Sequence, residues 1–269
     1  MPAEIREIEA KLESKAMTFQ QEHPEDFHTY RVGNRTMRYV EVGDDPHKPL
    51  VLFVHGSPGD WKAWVEYLTD KDLSAHANLI AVDRPGFGGS GKGMVESSLE
   101  QQCLDIAPLL DRASTGQKII LVGHSFGGPV VCRLAMDYPE KVTDVIVLAG
   151  SIDPDQEKTE WYQYVAEWPV IRWLLPSELV MANEEIMPLK HCLTEMIPLW
   201  PKIIQRVTVI QGEKDSLVPP ENADFAKRMM TKAKPLTIIR LPEMNHFIPW
   251  KKYDLVKTTL LKHLSCSTQ

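Results

Sequence analysis

Five consecutive apolar residues, Leu50-Val51-Leu52-Phe53-Val54, leave this stretch without a polar face. A strand covered on one side only alternates apolar and polar residues, so an unbroken run reads as a parallel strand buried on both faces. The pattern returns at Lys118 to Val122, Val142 to Ala149, Val207 to Gln211 and Leu236 to Leu241, with a shorter run at Leu79 to Val82. Helical spacing fills the intervals, at Trp61 to Leu68, Leu99 to Ala113, Phe126 to Tyr138, Glu221 to Ala233 and Tyr253 to Leu264. Strands alternating with helices predict an α/β fold, a mainly parallel sheet with helices on both faces. Two earlier β-rich runs, Thr29 to Val32 and Met37 to Val42, are separated by Gly33 and Asn34 and predict an antiparallel hairpin at its start.

Two segments stand outside this rhythm. Ile5, Ile8 and Leu12 recur at helical spacing among Glu and Lys, predicting a surface helix over residues 3–20 whose narrow apolar stripe packs on the body. Further on, the segment from Ile152 to Lys202 separates two sheet strands and is too long for a structureless loop. It holds four of the seven tryptophans, Trp161, Trp168, Trp173 and Trp200, with Met181, Met187 and Met196. So short a piece cannot bury that apolar surface within itself, and some of it must face the sheet or a pocket between the two. A small helical cap over one edge of the sheet is expected. The division is then an N-terminal helix in residues 1–25, a core formed by 26–151 and 203–269, and a cap at 152–202.

Lys and Arg number 30 against 37 Asp and Glu, and the net charge of -7 repels polyanions, so nucleic acid is not an expected partner. No apolar run has the length of a membrane span, and the charged N-terminus has no signal-peptide core. A cytoplasmic protein, monomeric or homodimeric, is expected, and an exported form whose leader has been cleaved stays open. Cys103, Cys132, Cys192 and Cys266 are scattered, with no CxxC pair and no metal-site spacing, so free thiols are expected and no metal.

Chemistry concentrates in Gly123-His124-Ser125-Phe126-Gly127. A G-x-S-x-G pattern occurs by chance in roughly one chain in ten of this length. Here, however, a buried strand leads in and a helical run leads out, the setting of a nucleophile elbow. A serine hydroxyl needs a base to take its proton and a third group to orient that base. His246, just past the strand Leu236 to Leu241, is placed where a loop emerges on the same rim. His124 belongs to the turn itself and cannot fold back onto its neighbour's hydroxyl, and His23, His28, His47 and His263 read as solvated or structural. Asp215 follows the strand Val207 to Gln211 and gives the chain order Ser, Asp, His, one order in which such a nucleophile, acid and base occur. Asp153, after Val142 to Ala149, competes for the acid role. Tetrahedral intermediates also need two N–H donors for the oxyanion. Phe126, at a helix start, is expected to supply one, and Ser57, in the turn His55-Gly56-Ser57-Pro58-Gly59, the other. His55 reads as a brace for that turn.

These motifs, with Asp83-Arg84-Pro85-Gly86-Phe87-Gly88-Gly89-Ser90, Tyr138 to Val142, Gln211 to Asp215 and Asn245-His246, strongly resemble the α/β-hydrolase superfamily from about Tyr30 to the C-terminus. The resemblance implies an eight-stranded sheet, a cap inserted after the sixth strand and no cofactor. Epoxide hydrolases and haloalkane dehalogenases look similar around Asp83 to Ser90, but they use an aspartate where this chain has Ser125. Asp83 is expected to organise its turn and to take no part in catalysis. The turn at His55 departs from the HGGG form of many lipases, which argues against bulky tertiary-alcohol esters. The resulting expectation is a serine hydrolase acting on small to medium, mostly apolar esters. C–C bond hydrolysis of diketones, proline iminopeptidase-like amide cleavage and a non-catalytic ligand receptor on the same fold are the alternatives.

Overall fold

The computed structural model describes residues 3–157 and 176–265. Eight strands, β1 (Phe27–Val32), β2 (Arg35–Val42), β3 (Leu50–Val54), β4 (Asn78–Val82), β5 (Ile119–His124), β6 (Asp144–Leu148), β7 (Arg206–Gly212) and β8 (Leu236–Leu241), form one sheet in the order β1-β2-β4-β3-β5-β6-β7-β8. β2 runs antiparallel to both its neighbours, and the remaining pairings are parallel. The hairpin closes through Gly33, whose φ of +56° suits the tight turns that match strand twist.

Every residue of β3, β4, β5 and β6 is buried, including the polar Asn78, His124 and Asp144 at strand ends. β8 departs from the reading of its sequence. It is an edge strand with Thr237 and Arg240 exposed, because only one neighbour and part of one face cover it.

Helices among the described residues are α1 (Ala3–Glu22), α2 (Val65–Leu68), α3 (Lys71–His76), α4 (Leu99–Ile106), α5 (Gly127–Asp137), α6 (Ser177–Ile186), α7 (Leu189–Met196), α8 (Glu221–Met229), α9 (Ile248–Lys251) and α10 (Tyr253–Ser265). None is long and apolar enough to cross a membrane. The stretches Trp61 to Leu68 and Leu99 to Ala113, expected as single helices, each divide. A 3₁₀ segment at Trp61–Trp64 precedes α2, and another at Ala107–Arg112 follows α4, where Pro108 removes a backbone donor. On α1, Leu12, Ala16 and Phe19 are buried, and the Phe19 ring lies 6.0 Å from Trp61. At the other end of the chain His263 bridges Asp144 and Thr208, at 2.8 Å each, and fastens α10 to the sheet.

Between β6 and β7 the described residues form α6, α7 and a 3₁₀ turn at Ile197–Lys202. Leu189, Leu193, Met196 and Trp200 join the same core cluster as α5 and β7, and Trp200 meets Phe225 edge-on at 5.2 Å. These residues pack into the sheet's own core. Trp161, Trp168 and Trp173 lie outside the described residues.

The strand order brings four loops together at one rim. β3 is hydrogen-bonded to β5, and β5, β6, β7 and β8 follow side by side. Their carboxyl ends therefore present the loops after β3, β5, β7 and β8 to the same crevice, the place where open parallel sheets bind ligands.

Candidate active site

β5 ends at His124 and α5 begins at Gly127, so Ser125 and Phe126 alone make the turn. Ser125 sits at φ +55°, a region that costs a side-chain-bearing residue on the order of 1–3 kcal/mol. Surrounding bonds hold it there. Its N–H donates to Leu148 O at 3.0 Å, and its carbonyl accepts from Gly128 N at 2.9 Å and Ser151 N at 3.3 Å. The flanking glycines answer a need for space. A Cβ on Gly123 would stand 2.3 Å from Gly127 O, and one on Gly127 would stand 2.3 Å from Val54 O.

The loop after β8 carries His246 to the buried carboxylate of Asp215, with Nδ1 and Oδ2 2.8 Å apart. The other carboxylate oxygen accepts from Leu217 N and Val218 N, both at 2.9 Å, so the acid is fixed before it meets the ring. An ionised carboxylate only accepts, which places the imidazole proton on Nδ1 and leaves Nε2 with a lone pair. His124 Nε2 donates to His246 O at 3.0 Å, and the two rings lie 4.7 Å apart. Burial, reinforced by the neighbouring His246, pushes the pKa of His124 down to about 3. His124 is therefore a neutral strut tying the histidine loop to the elbow, not a second base. Asp153 is engaged elsewhere: it accepts from Asp155 N at 3.0 Å and faces Arg228 at 3.6 Å. The structure thus joins His246 to Asp215 and leaves Asp153 apart.

The turn after β3 packs directly on the elbow, since a Cβ on Gly56 would lie 2.9 Å from Ser125 Cβ. Among the described residues, neither Ser57 N–H nor Phe126 N–H donates to a protein acceptor. Phe126 also stands at the start of α5, where the helix dipole favours negative charge. His55 is fully buried, and burial with the nearby Arg84 guanidinium holds its pKa well below the usual histidine value. The neutral ring donates from Nδ1 to Gly56 O at 2.7 Å and accepts Arg84 N–H at Nε2 at 2.9 Å, bracing the turn. Asp83 accepts from Trp61 N, Gly89 N and Arg38 Nε at 2.8, 2.7 and 2.6 Å, and burial raises its pKa. It organises the turn that follows β4.

Sequence reasoning passed over Arg84, Gln102 and Glu185, which are fully buried together behind the Ser57 turn. Arg84 was visible as a charge inside a tight Asp-Arg-Pro-Gly turn. Its acid partner lies 101 positions away and carries no local signal. Among the described residues no grouping of three or more metal-ligating side chains occurs, and Cys103, Cys132 and Cys192 are free thiols.

A sequence profile described as the alpha/beta hydrolase fold matches residues 49–178. The chain is 31% identical over 266 residues to the dihydrolipoyllysine-residue acetyltransferase component of an acetoin cleaving system from Pseudomonas putida, spanning 87% of this chain and 68% of that protein. It is 33% identical over 112 residues to epoxide hydrolase 4 of Mus musculus, a match that takes in 41% of this chain and only 30% of the mouse protein. Among solved structures, a hydrolase from Pseudomonas aeruginosa PA01 superposes with a TM-score of 0.68 at 15% identity, covering 90% of this chain and 99% of that one. That likeness is one of fold.

Proposed function

The chain belongs to the alpha/beta hydrolase fold family, and from that premise we propose that it is a serine hydrolase cleaving carboxylic esters through an acyl-enzyme. The observation that carries the proposal is the buried 2.8 Å bond between Asp215 and His246, whose loop is tied by His124 to an elbow serine at φ +55°. His246 Nε2 takes the Ser125 proton as Oγ attacks the acyl carbon. Ser57 and Phe126 N–H groups bind the oxygen that becomes negative. The imidazolium, stabilised by Asp215, returns its proton to the leaving alcohol, and a water activated by the same nitrogen releases the acid.

The epoxide hydrolase relatives raise a different chemistry, ring opening by a carboxylate. A hydroxyl at position 125 supports the ester reading instead. We assign residues 152–202 as a cap that shapes an acyl pocket for small-molecule substrates, with no cofactor required. The direct test is turnover of p-nitrophenyl acetate. Ser125→Ala should lower kcat on the order of a million-fold while the protein stays folded. Activity within tenfold of wild type in that variant would remove the assignment.

A further inference from the structure

Arg84 has five N–H groups, and each one finds an acceptor although the side chain is fully buried. Nε donates to His55 O at 2.9 Å, and Nη2 to Gly56 O at 2.9 Å. The two terminal nitrogens form a fork on Glu185 of α6, at 2.6 and 2.8 Å, and Nη1 also reaches Gln102 Oε1 at 3.0 Å. The guanidinium carbon lies 4.5 Å from the centre of the Phe126 ring and 4.9 Å from that of Phe87.

One guanidinium therefore contacts the peptide unit that carries one assigned oxyanion donor and the side chain of the residue that carries the other. Gly56 O and Ser57 N–H belong to a single peptide unit. A charged donor on the carbonyl end fixes the plane of that amide and polarises it, which strengthens the N–H at the other end. Phe126, the second donor residue, has its ring against the same cation. Stability alone does not account for the arrangement, because a buried ion pair contributes little net stability compared with an apolar pair of the same volume. Glu185 comes from the segment inserted between β6 and β7, so the position of α6 is read directly at the turn.

Resting on the serine-hydrolase reading, we propose that Arg84 is a positioning residue that sets the strength of the oxyanion donors. Glu185 clamps it, so that correct seating of α6 is a condition for full activity. Arg84 touches neither substrate nor reacting atoms and acts through the Gly56–Ser57 amide and Phe126.

The test compares Arg84→Lys, Arg84→Ala and Glu185→Gln with wild type, all with circular dichroism and thermal melts. Losing a whole oxyanion donor costs about 10²–10³ in kcat, so a donor left in place but no longer fixed should cost roughly 10–100-fold in Arg84→Lys, with KM little changed. Glu185→Gln, which keeps the shape but loses the charge, should fall in the same direction by a smaller factor. Binding of a trifluoromethyl ketone, whose adduct with serine carries the oxyanion, should weaken in each variant by the factor lost in kcat/KM. Millimolar guanidinium should restore part of the Arg84→Ala activity.

Folded variants with kcat and ketone affinity within twofold of wild type would overturn the proposal, as would an activity loss that only tracks the unfolded fraction. If Arg84→Ala fails to fold, the proposal stands only if folded Glu185→Gln shows the paired drop. Ser125→Ala serves as the control. If it is inactive while the Arg84 and Glu185 variants are unimpaired, the positioning role fails alone. If it remains active, the serine-hydrolase reading and this proposal fall together.

Discussion

Replacing Asp215 with asparagine removes a charge and almost no volume, so its effect can be worked out from the local bonds. Oδ1 accepts two backbone N–H groups, from Leu217 and Val218, at 2.9 Å each. Those donors hold an oxygen in place, so the new amide nitrogen must take the Oδ2 position, 2.8 Å from His246 Nδ1. Gln211 Nε2, another donor, lies 3.4 Å from the same position and cannot accept from it. The amide would donate to Nδ1 and drive the imidazole proton to Nε2, the nitrogen that accepts from Ser125 in the proposed mechanism. The stabilising charge on the imidazolium is lost as well. Together these should lower kcat by about 10⁴-fold, or roughly 5.5 kcal/mol of activation free energy, with a fold that melts near wild type. Steady-state hydrolysis of p-nitrophenyl acetate at neutral pH measures it, with Asp153→Asn as the comparison. A tenfold or smaller loss in Asp215→Asn, or a larger one in Asp153→Asn, would refute the reasoning.

Three other outcomes are expected. Gly127→Ala places a Cβ 2.3 Å from Val54 O, and the strain should destabilise the fold by about 1–3 kcal/mol, read as a lower urea midpoint; an unchanged midpoint would mean that the elbow has room to spare. His124 is held near a pKa of about 3 in the fold against an unfolded value of 6.5. Between those values the unfolded chain binds a proton that the folded one refuses, so stability should fall with pH from neutrality towards 4, and less steeply in His124→Asn; identical slopes would contradict the neutral strut. Finally, kcat/KM should rise by about fourfold per methylene over short linear acyl chains and fall once the pocket is filled. An optimum that no substitution among residues 152–202 shifts would show that this segment does not shape the pocket.

The parts of this molecule that could be read from sequence are those whose physics is local. β3 and β5 announce themselves because burial on both faces leaves Leu50–Val54 and Ile119–Val122 without a polar residue, and the elbow because a tight turn excludes side chains at Gly123 and Gly127. Asp215 and His246 follow β7 and β8, positions that are legible once the sheet is taken as parallel. β8 misled for a complementary reason. Leu-Thr-Ile-Ile-Arg-Leu is apolar enough to suggest full burial, yet its place at the edge is decided by the order of strands, which no single run encodes. Trp200 and Met196 sit in the sheet-side core beside α5 and β7, a partition that depends on how the insertion packs and not on its composition. The Arg84–Glu185 fork is the extreme case, because a contact across 101 positions has no signature in either neighbourhood.

The central claim, that Ser125 is the covalent nucleophile, is tested most directly by brief treatment with a fluorophosphonate followed by digestion and tandem mass spectrometry. The predicted result is one phosphonyl group on the peptide containing Ser125, formed far more slowly in His246→Ala and absent in Ser125→Ala. A modification mapping to any other residue, or labelling that persists unchanged in Ser125→Ala, would contradict it.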